Sequence, residues 1–183
     1  MFKVFALMVG LLICGSLYAQ SDNIRNPVLI GPQLGFYKTA DADNMSLMYG
    51  AALRLKLSNA LGFEGSINYR REEFADGNIK VDTWPVMLTG MIYPVETIYG
   101  AIGIGWYNTK VMYASSLGRA DKADQKFGWH FGAGVEIPVS EVVALTGDFR
   151  YVFLNYNFEK VPGSGNVDAN YFVITAGLLF RIH

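Results

Sequence analysis

Phe127-Gly128-Trp129-His130-Phe131-Gly132-Ala133-Gly134-Val135-Glu136-Ile137 alternates without a break. The odd positions are Phe127, Trp129, Phe131, Ala133, Val135 and Ile137; the even ones are Gly128, His130, Gly132, Gly134 and Glu136. Successive side chains of a strand point to opposite faces. This stretch therefore makes one strand face that is wholly apolar and another that is small or polar.

The same parity recurs along the chain. In 28–38, Ile30, Pro32, Leu34 and Phe36 oppose Gly31, Gln33, Gly35 and Tyr37. In 46–57, Leu47, Tyr49, Ala51, Leu53, Leu55 and Leu57 oppose Gly50, Ala52, Arg54 and Lys56. In 60–70, Leu61, Phe63, Ile67 and Tyr69 oppose Gly62, Glu64, Ser66, Asn68 and Arg70. Segment 79–93 follows more loosely, and Pro85, which cannot donate to a ladder, predicts a local irregularity there. Segments 97–108, 142–156 and 169–182 complete a set of eight, an even number and each about the length a tilted membrane strand needs.

The connections alternate in length. Short ones fall at Ser58-Asn59, Pro94-Val95-Glu96 and Pro138 to Glu141. Longer ones, rich in Asp, Asn, Lys, Gly and Ser, fall at 39–45, 71–78, 109–125 and 157–168. A chain that enters from the periplasm places the long set outside the cell, as small membrane barrels do. The expected fold is all-β: an eight-stranded antiparallel transmembrane β-barrel with short periplasmic turns and longer extracellular loops.

Composition agrees. Of 183 residues, 51% are hydrophobic and only 17% are charged, below the quarter usual in water-soluble domains. Beyond the N-terminus the apolar residues are scattered at short period, with no run long enough for a transmembrane helix. Lys3 and the apolar run Val4 to Ile13 read as a signal peptide, cut after Leu17-Tyr18-Ala19. The expected division is signal peptide 1–19 and barrel domain 20–183. Cleavage removes the single cysteine, Cys14, and one charge, Lys3, so the net charge moves from −1 to −2. Nothing in that balance points to nucleic acid.

Parity alone does not say which face is inside. A soluble lipocalin-like barrel would turn the apolar set inward. Three features favour lipid outside: charges mixed with glycine, Tyr and Trp gathered near segment ends as a girdle, and apolar alternation running almost to the C-terminus. The lumen of eight strands is then narrow enough for side chains to fill. The expected lumen charge network is Arg54, Lys56, Glu64, Arg70, His130, Glu136, Asp148 and Arg150, with Arg54, Arg70 and Arg150 pairing with Glu64, Glu136 and Asp148, because an unpaired buried charge is costly.

Three stretches carry a family resemblance: Tyr99-Gly100-Ala101-Ile102-Gly103-Ile104-Gly105-Trp106-Tyr107, Gly128 to Glu136, and Asp148-Phe149-Arg150-Tyr151. The chain resembles the outer-membrane β-barrel domain family of opacity-type and OmpX/OmpA-type small barrels, often labelled porin-family proteins. Ala176 to His183 resembles the family's C-terminal insertion signal, with Ile182 where a lipid-facing aromatic usually stands. The resemblance covers essentially the whole mature chain. It implies residence in the cell outer membrane, contact with outer-membrane lipid and lipopolysaccharide, and recognition of the C-terminal strand by the barrel-insertion machinery. It also implies roles ranging from adhesion to envelope stability.

Few residues offer chemistry. His130 with Ser66 and Glu64 or Glu136 would suit a lipid-modifying enzyme, but a structural lumen histidine is the simpler reading. The glycines of 100–105 and 128–134 lie within strands and are not phosphate loops. Asp41, Asp43 and Asn44 lack the calcium-loop pattern. The expectation is no enzyme, no cofactor and no metal. The expected role is structural or surface-interacting, with Lys110, Arg119 and Lys122 of the longest loop as contact candidates for a surface ligand of unknown identity. The alternatives are a narrow small-solute channel and an outer-membrane lipid-modifying enzyme.

Overall fold

The computed structural model describes residues 27–39, 45–74, 79–115, 118–156, 167–168 and 170–182. The expected leader 1–19 and the polar group Asp41, Asp43 and Asn44 lie outside them. Among the described residues, eight long strands form the wall: β1 (Val28–Thr39), β2 (Ser46–Lys56), β3 (Leu61–Phe74), β4 (Ile79–Val95), β5 (Ile98–Ser115), β6 (Gly118–Pro138), β7 (Val143–Tyr156) and β9 (Tyr171–Ile182). A two-residue strand, β8 (Val167–Asp168), pairs with the outer end of β7. Every pairing is antiparallel between neighbours, β1 closes on β9, and β6 pairs with β7. The sheet has no free edge, which is the condition for placing strands in lipid.

Two of the three short turns at one end of the barrel are built alike. Ser58 and Ser140 each accept a backbone hydrogen bond on Oγ two residues on, from Ala60 and Val142, and both turns fold onto the next strand through Leu61 O and Val143 O. Serine supplies this local bond without a special backbone conformation.

The two faces lie as the alternation predicts. Ile30, Leu34, Phe63, Ile67, Ile102, Phe131 and Phe149 face outward and are exposed, while Arg54, Glu64, Thr89, His130 and Glu136 are buried within. Ile102 is 62% exposed and Arg54 is 0% exposed, which settles the face that meets lipid.

Four expectations are corrected or refined. First, 109–125 is not a long loop. β5 and β6 run to Ser115 and Gly118 in unbroken register, through Lys110↔Ala123 and Ala114↔Arg119. Likewise β3 and β4 pair up to Phe74↔Ile79, within the expected loop 71–78. Polar composition marks solvent there, not loss of the ladder; Thr83, Val81, Thr109 and Val111 retain strand preference.

Second, the irregularity expected at Pro85 is present, as a gap in the ladder without a shift of register. The β3–β4 ladder lapses between Ile67↔Val86 and Arg70↔Thr83, yet the register is unchanged. The true shift lies between Ile92 and Val95, beside Pro94. Third, the tyrosines are not mainly a girdle, since Tyr37, Tyr93, Tyr99, Tyr107 and Tyr171 are buried in the lumen. Fourth, Arg181, whose place in the alternation of 169–182 gives it inward parity, is exposed near the end of β9, where its backbone still pairs with Leu29 of β1.

Glycine makes room for the large lumen groups. A Cβ on Gly103 would stand 2.7 Å from His130 Nε2, and one on Gly134 would stand 2.5 Å from the Tyr99 ring. Neither position carries a left-handed backbone, so space is the reason for glycine there.

Ile102 lies midway between the turn and the aromatic Trp106. Ile102→Lys is expected to destabilise the barrel by about 2–4 kcal/mol in lipid, the cost of a cation near the bilayer midplane. Urea titration in vesicles, followed by heat-dependent gel mobility, measures it.

Candidate functional site

The lumen is layered. In the periplasmic half, Arg54 on β2 and Arg150 on β7 both reach Glu64 on β3. Arg54 Nε and Nη2 donate to Glu64 Oε2 at 3.0 and 2.5 Å, and Arg150 Nη2 donates to Glu64 Oε1 at 2.6 Å. Arg54 Nη1 donates to Glu136 Oε2 at 2.8 Å, and Arg150 Nη2 to Asp148 Oδ1 at 2.8 Å. Lys56 Nζ meets Glu136 Oε1 at 2.6 Å at the mouth, where its side chain is still 21% exposed.

Three cations thus face three carboxylates. The network is electroneutral, and each carboxylate is held by at least one fixed N–H donor. That is the arrangement under which buried ions are tolerated. Hydroxyl groups extend it: Tyr99 OH accepts from Arg54 Nη2 at 3.1 Å, and Tyr93 OH donates to Glu136 Oε2 at 3.1 Å. The guanidinium of Arg54 also lies 4.7 Å from the Tyr99 ring centroid, and Lys56 Nζ lies 4.6 Å from that of Tyr93. His130 joins through Thr89, whose Oγ1 shares a 2.9 Å hydrogen bond with His130 Nε2 and accepts from Arg150 Nη1 at 3.2 Å.

The extracellular half is aromatic. Tyr37, Met48, Tyr107, Val152, Leu154, Tyr171 and Val173 form one buried cluster. Arg70 belongs to this layer: its guanidinium stands 4.7 Å from the Tyr37 ring and 4.4 Å from the Tyr171 ring. The expected grouping of Arg70 with Arg54 and Arg150 around the carboxylates is corrected here. Arg70 lies six residues further up β3 than Glu64, so strand height separates them although parity does not. Gln33 Nε2 bridges to Asn68 Oδ1 at 2.6 Å near the same level.

Of the expected set, the structure brings together Arg54, Lys56, Glu64, Glu136, Asp148, Arg150 and, through Thr89, His130. Sequence reasoning missed Thr89, Tyr93 and Tyr99. The available signal was a large hydroxyl-bearing residue at an inward position opposite a glycine, as in Tyr99↔Gly134. Lys110 lies on β5 across from Asp82 of β4. Arg119 and Lys122 are on the ladder of β6, and their side chains, like His183, lie outside the described residues. Among the described residues no group of three or more His, Cys, Asp or Glu is placed to hold a metal ion.

The family profile described as outer membrane protein beta-barrel domain matches residues 7–180. Among solved structures the chain is similar to the outer membrane protein OprG of Pseudomonas aeruginosa (13% identity, 86% of this chain and 96% of that one, TM-score 0.62). It is also similar to a major outer membrane protein of Thermus thermophilus (9% identity, 85% and 99%, TM-score 0.62). A third is Ail, the attachment invasion locus protein of Yersinia pestis, in complex with the heparin analogue sucrose octasulfate (19% identity, 86% and 97%, TM-score 0.55). At such identities the likeness establishes the fold. Comparison with curated proteins finds no match.

Glu64→Ala leaves Arg54 and Arg150 facing each other without their shared carboxylate. The expected loss of stability is about 3–5 kcal/mol. Adding Arg150→Met restores the balance of charge and is expected to recover part of it. The urea midpoint of the folded gel band reports both.

Proposed function

Since the chain belongs to the outer membrane protein β-barrel domain family, and so resides in the cell outer membrane, we propose that it serves as a membrane-anchored surface-interaction protein and not as a channel or an enzyme. One observation carries the reading: the lumen is occupied through both halves. Arg54 and His130 are 0% exposed in the lower layer, and so are Tyr107 and Leu154 in the upper. A solute has to displace an electroneutral ion network and an aromatic plug to pass. The same burial keeps His130 from any substrate.

With the interior committed to packing, the surface features are those that project. β5 and β6 have 18 and 21 residues, against the ~9–11 that span the bilayer. Above Trp106 and Phe127 they continue as a paired ribbon from Tyr107↔Lys126 to Ser115↔Gly118, roughly 25 Å of strand, flanked by β4 as far as Ile79↔Tyr113. Lys110, Arg119 and Lys122 lie along it and remain the proposed contact residues for a surface ligand. Outer-membrane lipid and the insertion machinery at β9 complete the proposed partners.

Two measurements test this. In planar bilayers the purified barrel is expected to give no steps comparable to a general porin; porin-sized conductance would refute the plugged lumen. Joining Asn108 to Gln125 by a two-residue turn removes the ribbon, Lys110, Arg119 and Lys122 included, and leaves the wall below it. Cells displaying that variant are expected to adhere less than wild type to a heparin-coated surface, a probe suggested by the ligand in the Ail structure. Equal adhesion would remove the ribbon from the binding role.

A further inference from the structure

Nothing inside the chain accounts for two glycines on its lipid face. Gly90 on β4 and Gly100 on β5 share the outward parity of Ile92 and Ile102, and the ladder sets Gly90 across from Ile102 and Ile92 across from Gly100. A Cβ on Gly100 would meet nothing within 4 Å among the described residues, and one on Gly90 only Ile102 O at 3.7 Å and Phe63 Cε1 at 3.9 Å. Neither carries a left-handed backbone. The lumen glycines Gly103 and Gly134 give way to His130 and Tyr99, whereas these two have room in front of them. Glycine weakens a strand, so its use here points to something outside the chain that comes close to the backbone. The pair sits in a hollow of about 420 Å³, bordered by the outward side chains of Leu61, Phe63, Ile92, Ile102 and Phe131.

Register also gives the depth of each residue. From Val28 of β1 the ladder runs through Leu55, Phe63, Gly90, Ile102 and Phe131 and returns to β1 at Lys38, ten residues higher. Eight strand spacings of ~4.8 Å against ten rises of ~3.3 Å tilt the strands by roughly 40°. Each step to the next strand therefore raises the ladder row by about 3 Å. Gly100 lies two strands on from Phe63 and two residues below its row, so the two stand at one depth to within ~1 Å, with Gly90 ~3 Å above them. The exposed ring of Phe63 and the hollow are thus neighbours at nearly the same depth in the bilayer, about 8 Å apart round the wall.

Lipid chains are fluid and fill a wall of any relief, so lipid alone does not call for the glycines. A second protein wall does, because small residues let two backbones approach within a membrane. Copies of one chain enter the membrane in one orientation, and a pair of them is related by a two-fold axis along the membrane normal. That axis keeps every residue at its depth and exchanges left with right. A self-matching wall then needs a projection and a recess side by side at one depth, which is the arrangement of Phe63 and the hollow. Ile92 and Ile102 are 60% and 62% exposed, and Phe63 and Phe131 are each 47% exposed. With outward neighbours such as Ile67, Ile98 and Ile104 the face offers roughly 800 Å² per copy, the size a stable pair needs. We propose that two copies of this chain pair in the outer membrane through β3, β4 and β5, with Phe63 of each seated over Gly90 and Gly100 of the other. The inference rests on residence in the outer membrane and is independent of the plugged lumen and of the ribbon.

Sedimentation equilibrium of the full-length protein in density-matched neutral detergent reads the pairing. Wild type is expected to sediment as a dimer. Phe63→Ala removes the projection and Gly100→Leu fills the recess; each is expected to weaken the dimer at least about tenfold. Mixed in equal amounts, the two variants are expected to pair more tightly than either alone, because the ring kept by one fits the recess kept by the other. Ile174→Ala on β9, four strands round the wall from β4, is expected to leave the dimer unchanged. All three variants are expected to keep heat-dependent gel mobility, since none of these positions faces the lumen. A wild type that stays monomeric would overturn the proposal, and so would a dimer that Gly100→Leu leaves intact or a mixture no tighter than its parts. Membrane fractionation reads residence in the outer membrane separately, so failure to pair and failure to reach the membrane are distinct results.

Discussion

A charge enclosed by a wall of hydrocarbon has nowhere to find a partner except across the lumen, and this constraint organises the molecule. Lipid offers neither water nor dielectric to an unpaired ion. The answer here is a closed group in which Arg54, Lys56 and Arg150 are met by Glu64, Glu136 and Asp148. Glu64 is the hinge of the group, because one of its oxygens serves Arg54, its cross-strand neighbour on β2, and the other serves Arg150, reaching across the lumen from β7. Closing the network requires β2, β3, β6 and β7 to stand at fixed heights. The ionic layer and the hydrogen-bond ladder thus specify the same register, which is how a polar interior gives uniqueness to a fold whose outer face, greasy throughout, specifies little.

Parity was legible from the sequence because it depends on nothing but neighbours two residues apart. Phe127 to Ile137 shows it without help from the rest of the chain. Height was not legible. Arg70 and Arg150 share inward parity, and only the stagger of the strands sends Arg150 to Glu64 and Arg70 to Tyr37 and Tyr171. Stagger is a property of barrel closure, set by all eight strands together. The extent of β5 and β6 escaped for a different reason. Asp, Lys and Ala in 119–126 read as a solvated loop, yet a paired strand satisfies its backbone as well as a loop does.

The tyrosines illustrate how composition misleads. Eleven tyrosines in a membrane barrel suggest a girdle, yet five fill the lumen. Tyrosine suits that place because its ring takes up volume while its hydroxyl joins the polar network, as Tyr93 and Tyr99 do. Two of these rings lie where a side chain is absent. Gly134 gives way to Tyr99, and Gly105 and Gly128 give way to Tyr107. The glycine-rich stretches are thus the complement of the rings, and neither makes sense alone.

A filled lumen leaves little freedom in the wall, because a change of volume or charge inside is felt by several strands at once. The rims are under no such constraint, and the two of them differ. The periplasmic end is finished in tight serine turns, whereas the outer end carries β5 and β6 onward as a ladder. A ribbon that is already paired has given up most of its backbone entropy before it meets anything, so a partner that binds it has less ordering to oppose. A flexible loop of the same composition would wrap more surfaces and hold each less well. Extending the sheet therefore favours recognition at fixed spacing across β4, β5 and β6, and that spacing is inherited directly from the register that the buried ions below require.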